Sequence, residues 1–359
     1  MPRQLHGSDG DNGDRLSDGP AVDGAVAESE ERMNIRELAR MCQVSPATVS
    51  RYLNQPDMVS PETAEKLEAA ICKTGYAPQR KSRRAPQGGM IAIVAPTLNH
   101  HFFQSAIELL ERQLCAAGRE SAVLFMPAGK EAVCLDMLRR LRPAGIVLLD
   151  GDIAEDAQKS LAALNVPIVM CGETSRNQRF SSVHVDDMAA AYGGVQYLFR
   201  LGHRRIGFIS DPQTSISSGF QRVTGCKKAF EDAGAEWNPE CVVCEGCTYE
   251  SGYAGTRRLI ARFPEITAIF AFSDEAAMGA MCALTDAGLT IPGDVSVLGF
   301  DDLPLAQRVR PQLTTIHQPL KAIVARSVEF LDRSEIGGVG ASVVVPFEIT
   351  ERQSCRKLK

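Results

Sequence analysis

Residues 35–54 read IRELARMCQVSPATVSRYLN and contain two short helical patterns separated by a tight turn. The face of the first helix is marked by apolar residues at three- and four-residue spacing: Ile35, Leu38, Ala39 and Cys42. Ser45-Pro46 then supplies a capping hydroxyl and a proline at the first helical position, so a second helix begins there. This order of helix, turn and helix is typical of a helix-turn-helix unit.

The second helix has distinct inward and outward faces. Val49 and Leu53 are expected to pack inward, whereas Ala47, Ser50 and Arg51 point outward. An outward arginine on such a helix can bind guanine bidentately in the major groove, with about 1 to 3 kcal/mol of discrimination. The pattern alone leaves open a protein-binding helical bundle in which Arg51 is solvated.

A third helix is predicted by the repeated start signal Ser60-Pro61 and the end signal Gly75. The three helices form a compact module, which we place at residues 33–78. Residues 33–86 hold nine Lys and Arg against five Asp and Glu, although the whole chain has a net charge of -5. This local positive excess favours a nucleic-acid partner without establishing one.

Residues 1–32 form an acidic segment with three Lys and Arg against eight Asp and Glu. Because it has few large apolar side chains, burial cannot offset the entropy of ordering, and the sequence predicts a disordered tail. Met33 directly precedes the first helical pattern, so a translation start at Met33 is left open.

The helical module resembles the DNA-binding headpiece of the lactose/galactose-repressor family. The resemblance rests on residues 35–54, on VSPET at residues 59–63 and on GYAP at residues 75–78. It implies that Pro46, Ala47 and Arg51 read bases. It also implies a set of phosphate-positioning residues: Ser45, Thr48, Ser50, Asn54, Ser60, Thr63 and Tyr76.

Residues 79–89 form a basic, breaker-rich hinge linker that carries Arg80, Lys81, Arg83 and Arg84. In the family this linker usually becomes a short helix that wedges a leucine into the minor groove. No leucine is present here, and Pro86 interrupts the segment. We therefore expect the linker to contact phosphates, which makes affinity salt-dependent and bends the DNA less than a wedge would.

Residues 90–359 alternate short apolar runs with helical patterns, which predicts parallel sheets with crossover helices. The runs are residues 91–95, 120–125, 145–149, 167–170, 206–209, 268–271 and 295–299. The predicted fold class is therefore α/β, with two doubly wound lobes behind an all-α helix-turn-helix domain. We expect the first lobe at about 90–187 and 319–331, and the second at about 188–317 and 342–359.

The core also resembles the periplasmic-binding-protein-like core of the same family. Matching stretches include LGHRRIGFI at residues 201–209, SDEAAMG at 273–279 and VSVLGFDD at 295–302. In such lobes a ligand binds at the carboxyl ends of the strands, in the cleft between them. The positions that match effector contacts or their usual neighbours are Phe102, Phe103, Gly172, Arg222, Cys247, Ser273, Asp274, Asp301 and Gln318. Phe102 and Phe103 as lobe core, and Asp301 as a helix cap, remain alternatives.

Three of these positions depart from the family pattern. Gly172 stands where many sugar-responsive relatives have aspartate, Ser273 replaces a frequent asparagine, and Cys247 replaces a frequent aromatic residue. Losing a carboxylate and an amide removes two groups that bind hydroxyls. A carbohydrate or sugar acid is the first hypothesis for the effector, followed by a nucleobase or another metabolite.

Several function classes are excluded by missing signals. The chain contains no GxGxxG, GxxxxGK[ST] or GxSxG motif, so we expect neither an enzyme nor a cofactor. A solute-binding protein of a transporter would share the two-lobed core, but it would lack the helix-turn-helix headpiece. Cys241, Cys244 and Cys247 have a spacing that can ligate metal, but no fourth ligand is evident and we expect no metal.

The remaining expectations concern location and assembly. Without an export signal or a long apolar run, we expect a cytoplasmic protein that does not contact a membrane. The resemblance implies a homodimer whose two reading helices meet half-sites of operator DNA. Because the sequence ends at Lys359 without a heptad extension, we expect dimers rather than tetramers.

Overall fold

The computed structural model describes residues 35–54, 59–74, 89–174, 179–333 and 340–358. The chain divides between residues 81 and 82 into two compact units, a small helical one and a large α/β one. Within the described residues, no helix is both long and apolar enough to cross a membrane. The predicted tail and most of the predicted hinge linker lie outside the described residues.

The helical unit contains the three predicted helices, α1 (Ile35–Met41), α2 (Pro46–Asn54) and α3 (Pro61–Thr74). Its core is formed by buried residues from all three helices: Leu38, Ala39, Val49 and Leu67. The predicted cap is present, since the Ser45 hydroxyl accepts a hydrogen bond from the Thr48 N–H at 3.0 Å. Gln43 adopts a left-handed φ of 54° in the turn between α1 and α2.

The first lobe is built on a six-stranded parallel sheet with the order β11-β5-β4-β3-β1-β2. Elements are numbered in chain order, and its strands are β1 (Ile91–Ala95), β2 (Ser121–Phe125), β3 (Gly145–Leu148), β4 (Ile168–Cys171), β5 (Ser181–His184) and β11 (Ser342–Val344). Its helices are α4 (His101–Ala116), α5 (Glu131–Leu141), α6 (Glu155–Ala162) and α11 (Leu320–Arg333). Apolar cores cover both faces of the sheet, which explains why its central strands are continuous apolar runs.

The second lobe repeats this design in the order β12-β10-β9-β8-β6-β7, with β12 antiparallel to β10. Its strands are β6 (Ile206–Ser210), β7 (Val242–Cys244), β8 (Ala268–Ala271), β9 (Ser296–Asp301), β10 (Thr314–His317) and β12 (Glu348–Thr350). Its helices are α7 (Asp187–Arg200), α8 (Arg222–Asp232), α9 (Tyr249–Arg262) and α10 (Asp274–Asp286). The α/β class with two doubly wound lobes is therefore confirmed.

One predicted boundary is wrong. We expected residues 342–359 in the second lobe, but β11 pairs in parallel with β5 of the first sheet, from Ser342 opposite Ser182 to Val344 opposite His184. The strand satisfies the backbone groups on the outer edge of β5. The chain therefore passes back to the second lobe only after β11, before β12 begins at Glu348.

Candidate functional sites

A cavity of about 340 Å³ lies in the cleft between the lobes, at the carboxyl ends of the parallel strands. The first lobe lines it with residues that follow β1 and β4: Thr97, Asn99, His100, Phe102, Phe103, Gly172 and Glu173. The second lobe lines it with residues near the ends of β6 to β10: Asp211, Ser218, Arg222, Cys247, Thr248, Phe272, Ser273, Asp301 and Gln318. We call this space the cleft cavity. It brings together the predicted effector residues except Asp274.

Arg222 lies at the base of the cleft cavity and is 7% exposed. Its Nε donates to Asp187 at 2.7 Å, its Nη1 donates to the Phe272 carbonyl, and its guanidinium carbon lies 3.6 Å from the centre of the Phe300 ring. Burial alone would lower the pKa of Arg222, but Asp187 and Asp301 outweigh burial and raise it. Among the described residues none accepts from Nη2, which is therefore the donor that a ligand can use.

Asp301 and Gln318 form a buried acceptor pair. Gln318 Nε2 donates to Asp301 Oδ1 at 2.7 Å, and this bond fixes the orientation of the amide. Gln318 Oε1 is buried and has no hydrogen-bond partner among the described residues. Burial raises the pKa of Asp301 to about 6, against the opposing effect of the Arg222 charge. A ligand that donates hydrogen bonds would satisfy both groups.

The Phe102 ring packs against Gly172. Its φ is 85°, and a Cβ built there would lie 2.9 Å from Phe102 Cζ. The ring of Phe102 thus occupies the space that a side chain at position 172 would need. An aspartate of the usual family kind does not fit at position 172 without movement of the ring, so an aromatic ring and not a carboxylate fills the space beside Gly172.

The Ser273 side chain serves local structure in addition to lining the cleft cavity. Its hydroxyl donates to the Cys247 carbonyl at 2.5 Å and accepts from the Ala276 N–H, which caps α10. Burial raises the pKa of the Cys247 thiol well above its ordinary value, so the thiol stays neutral. Both side chains are therefore uncharged parts of the wall of the cleft cavity.

Asp274 is placed differently from the prediction, because its side chain is fully buried beneath the cleft cavity. One carboxylate oxygen accepts from the Thr315 hydroxyl at 2.6 Å, and the other accepts from the Leu303 N–H at 2.7 Å. With both oxygens engaged inside the second lobe, Asp274 links β10 to the segment that follows β9. It does not line the cleft cavity.

Sequence reasoning missed several residues that line the cleft cavity, among them His100, Asp211 and Ser218. Ser218 donates to Asp211 at 2.5 Å, and a short π-helix at Ile216–Gln221 leads from this pair to Arg222. Asp211 directly follows β6, so its position after an apolar run was the available signal. His100 caps α4 and had no comparable signal.

The Cys-rich stretch after α8 does not form a metal site in the described residues, where no group of three or more His, Cys, Asp and Glu side chains is placed to hold an ion. Cys241 and Cys244 are half-buried near β7, and Cys247 is buried at the wall of the cleft cavity. Burial raises the pKa of each of these thiols.

The helical unit presents part of its predicted DNA surface. Pro46, Ala47 and Arg51 are exposed on α2. The hydroxyls of Ser45 and Thr48 lie 2.8 Å apart, as do those of Ser60 and Thr63, so each pair organises the start of a helix. The side chains of the remaining predicted contacts lie outside the described residues: Ser50, Asn54, Tyr76, Arg80, Lys81, Arg83 and Arg84.

Both units of the chain match known protein families. Residues 34–79 match the model of bacterial regulatory proteins of the lacI family, and residues 195–355 match the periplasmic binding protein-like domain. The HTH-type transcriptional repressor CytR of Escherichia coli (strain K12) is 31% identical over 337 residues, which cover 92% of this chain and 98% of CytR. The chain belongs to the lacI family of transcription regulators. It is therefore a DNA-binding regulator and not an enzyme.

Other lacI-family proteins agree over the same length. Catabolite control protein A of Priestia megaterium is 29% identical over 90% of this chain and 99% of its own length. The structure of a CelR–cellobiose complex has a TM-score of 0.68 at 27% identity and covers 90% of this chain and 100% of its own. The lac repressor dimer bound to operator and the anti-inducer ONPF has a TM-score of 0.66 at 26% identity and covers 91% and 100%.

Proposed function

We propose that this lacI-family protein is a repressor whose affinity for operator DNA is controlled by a ligand in the cleft cavity. The ligand is small, neutral and rich in hydroxyl groups, as a sugar or sugar derivative is. The observation that carries the proposal is the buried acceptor pair, in which Gln318 Oε1 lacks a partner among the described residues. A buried acceptor without a hydrogen bond is costly, so a donor from a ligand is favoured there.

The charges around the cleft cavity favour a neutral ligand over a sugar acid. Asp211, Glu173 and Asp301 line it, whereas the positive charge of Arg222 is already matched by Asp187 at 2.7 Å. An anionic ligand would meet these carboxyl groups in a site of low dielectric. A neutral polyol instead donates to the acceptors, and Phe102 and Phe103 supply an apolar face for its ring. The CelR–cellobiose complex is consistent with this ligand class.

A nucleoside is the second candidate, because the first lobe contributes several rings to one wall. The ring centres of Phe102 and Phe103 lie 5.8 Å apart in an edge-to-face arrangement, and the ring centre of His100 lies 5.5 Å from that of Phe103. Such a wall can stack against a base as well as against a sugar face.

Two copies of the chain would act together, because a single headpiece contacts one half-site. An apolar stripe on α5 is exposed at four-residue spacing, formed by Val133, Met137 and Leu141. The preceding strand β2 is an edge strand and exposes Val123 and Phe125. We assign this surface, the α5–β2 face, to contact with a second copy, in line with the lac repressor dimer.

DNA is contacted by α2, α3 and the basic linker in this proposal, and the protein acts in the cytoplasm where the chromosome lies. Because the linker lacks the wedging leucine, the DNA is bent weakly. Circular-permutation gel shifts should show little central bending, and a strong kink would contradict this part of the proposal.

The ligand is tested by calorimetry of the full chain with matched compounds: neutral mono- and disaccharides, the corresponding sugar acids and phosphates, and nucleosides. We expect binding by one or more neutral sugars and at least about tenfold weaker binding of the acid or phosphate of the same sugar. Arg222→Lys, which keeps the charge beside Asp187, should weaken ligand binding and leave operator binding intact. Binding of nucleosides alone would select the second candidate.

A further inference from the structure

Glu275 joins the two lobes through residues that adjoin the cleft cavity. It belongs to α10 of the second lobe, and its side chain is only 6% exposed. Its Oε1 accepts a hydrogen bond from the backbone N–H of His101 at 2.7 Å and also bonds to His101 Nδ1. Its Oε2 lies 3.9 Å from His100 Nε2. His100 and His101 form the start of α4 in the first lobe.

The contact supplies the start of α4 with a negatively charged acceptor, which the first turn of α4 itself lacks. The first turn of a helix has N–H groups without helical acceptors and carries positive partial charge. The first turn of α4 contains no acidic residue, and its cap His100 accepts only weakly, from Phe102 N–H at 3.3 Å. Glu275 supplies the missing carboxylate from the opposite lobe. Phe102 and Phe103, which line the cleft cavity, lie in the same turn.

On the other side of the contact, Glu275 belongs to a part of the second lobe that is held by buried hydrogen bonds. The preceding residue, Asp274, links the segment that follows β9 to β10, through hydrogen bonds with Leu303 and Thr315. β9 ends at Asp301, and β10 leads directly to Gln318. A single short segment of α10 therefore connects the acceptor pair of the second lobe to the aromatic wall of the first.

We propose that Glu275 is a positioning residue that latches the lobes in the closed arrangement. Because the hydrogen bond to His101 joins residues of different lobes, it requires the lobes to be as close together as they are in this structure, which we call the closed arrangement. A ligand that touches both lobes also favours the closed arrangement, so the ligand and the latch stabilise each other. This inference rests on the proposed function, because it gives the latch its role in the response to a ligand.

The latch is tested first without ligand, by hydrogen exchange of the full-length protein. Glu275→Ala should speed exchange of amides 101–103 in the first lobe by about tenfold or more, because a charge-assisted hydrogen bond is lost. Glu275→Gln retains an acceptor and should have a smaller effect. Glu250→Gln is the matched control, since Glu250 lies in the exposed first turn of the neighbouring helix α9 and should leave these amides unchanged.

The second readout is calorimetry of the same variants with the neutral sugar that binds most tightly. Glu275→Ala should weaken the binding of that sugar, mainly because the sugar dissociates faster. The far-ultraviolet circular dichroism spectrum of the variant should match that of the wild type. If Glu275→Ala and Glu275→Gln both fold and leave exchange of amides 101–103 unchanged, the latch is refuted whether or not a sugar binds. If exchange rises as expected but no neutral sugar binds, the ligand proposal fails and the contact between the lobes stands.

Discussion

The buried carboxyl group of Asp301 lines the cleft cavity. Burial raises its pKa from 3.8 to about 6. The contribution of this carboxyl group to stability is therefore fully present below pH 3.8 and is lost as the pH rises through about 6, where the folded chain must hold a buried charge. A ligand that donates to the carboxylate offsets this cost and prefers the ionised form.

The affinity for the neutral ligand should fall as the pH decreases below about 6, by at most about tenfold per pH unit. Asp301→Asn should bind more weakly at neutral pH and lose this dependence. Calorimetry between about pH 5 and about pH 8 measures both. A wild-type affinity that stays constant across this range would show that the ligand does not bond to the ionised carboxyl group.

Gly172→Ala should destabilise the core by about 1 to 3 kcal/mol, because the new Cβ meets both a positive φ and the Phe102 ring. Gly118→Ala is the matched control: its φ is 67°, but nothing lies within 4 Å of the added Cβ. It should therefore cost only the backbone strain. Urea unfolding measures the difference, and adding Phe102→Leu to Gly172→Ala should recover part of it. Equal losses in the two glycine variants would argue against the aromatic wall described above.

At this scale, residues in recognisable motifs could be predicted and residues that act across the fold could not. Asp301 follows a predicted strand, whereas Arg222 and Gln318 were predicted from the family resemblance, and the structure places all three in the lining of the cleft cavity. Asp274 does not line the cleft cavity, because a residue next to a strand end can face the lobe interior instead of the cleft. Glu275 gave no signal, since its partner His101 is 174 positions away in the sequence.

At the scale of elements, strands that are apolar on both faces were predictable and polar strands were not. β5 (SSVH) and β10 (TTIH) are largely buried, but their Ser and Thr side chains form hydrogen bonds within the lobes, such as that of Thr315 with Asp274 of α10. β11 and β12 have only three residues each, too few for a periodic pattern. Helix α4 begins at His101, where Glu275 and His100 satisfy its first N–H groups.

Ser45→Ala should loosen the start of α2 by about 1 kcal/mol, because the hydroxyl that accepts from Thr48 N–H is lost. Hydrogen exchange in α2 and operator affinity of the full chain are the measurements, and both should worsen. Ser60→Ala is the control, since Ser60 serves the start of α3. It should leave exchange in α2 near the wild-type rate. If the two variants affected α2 equally, the effect would not come from the local cap.

At the scale of the whole molecule, the order of domains followed from the sequence because each unit has its own pattern. The headpiece shows short capped helices, and the core shows strands alternating with helices. The return of the chain to the first lobe at β11 could not be predicted, because the pairing partner of a short strand depends on which sheet edge is free. The family comparison accounts for both units within one chain.

The α5–β2 face should hold two copies of the chain together. Met137→Glu places a charge in the exposed apolar stripe and should shift sedimentation towards single chains at micromolar concentration. Val344→Glu is the control, because Val344 is an exposed apolar residue on β11, at the other edge of the same sheet. A Met137→Glu protein that sediments as two chains, or a wild-type mass of four chains, would contradict this assembly.

Operator binding by the full-length protein tests the proposed function as a whole. Binding sites are selected from random duplex DNA at near-physiological salt, with and without the neutral sugar found by calorimetry. We expect a selected site to be bound at least about a thousandfold more tightly than random duplex, and we expect this affinity to change by at least about fivefold when the sugar is added. Equal binding of all duplexes, with the sugar present or absent, would show that the protein is not a ligand-controlled operator-binding regulator.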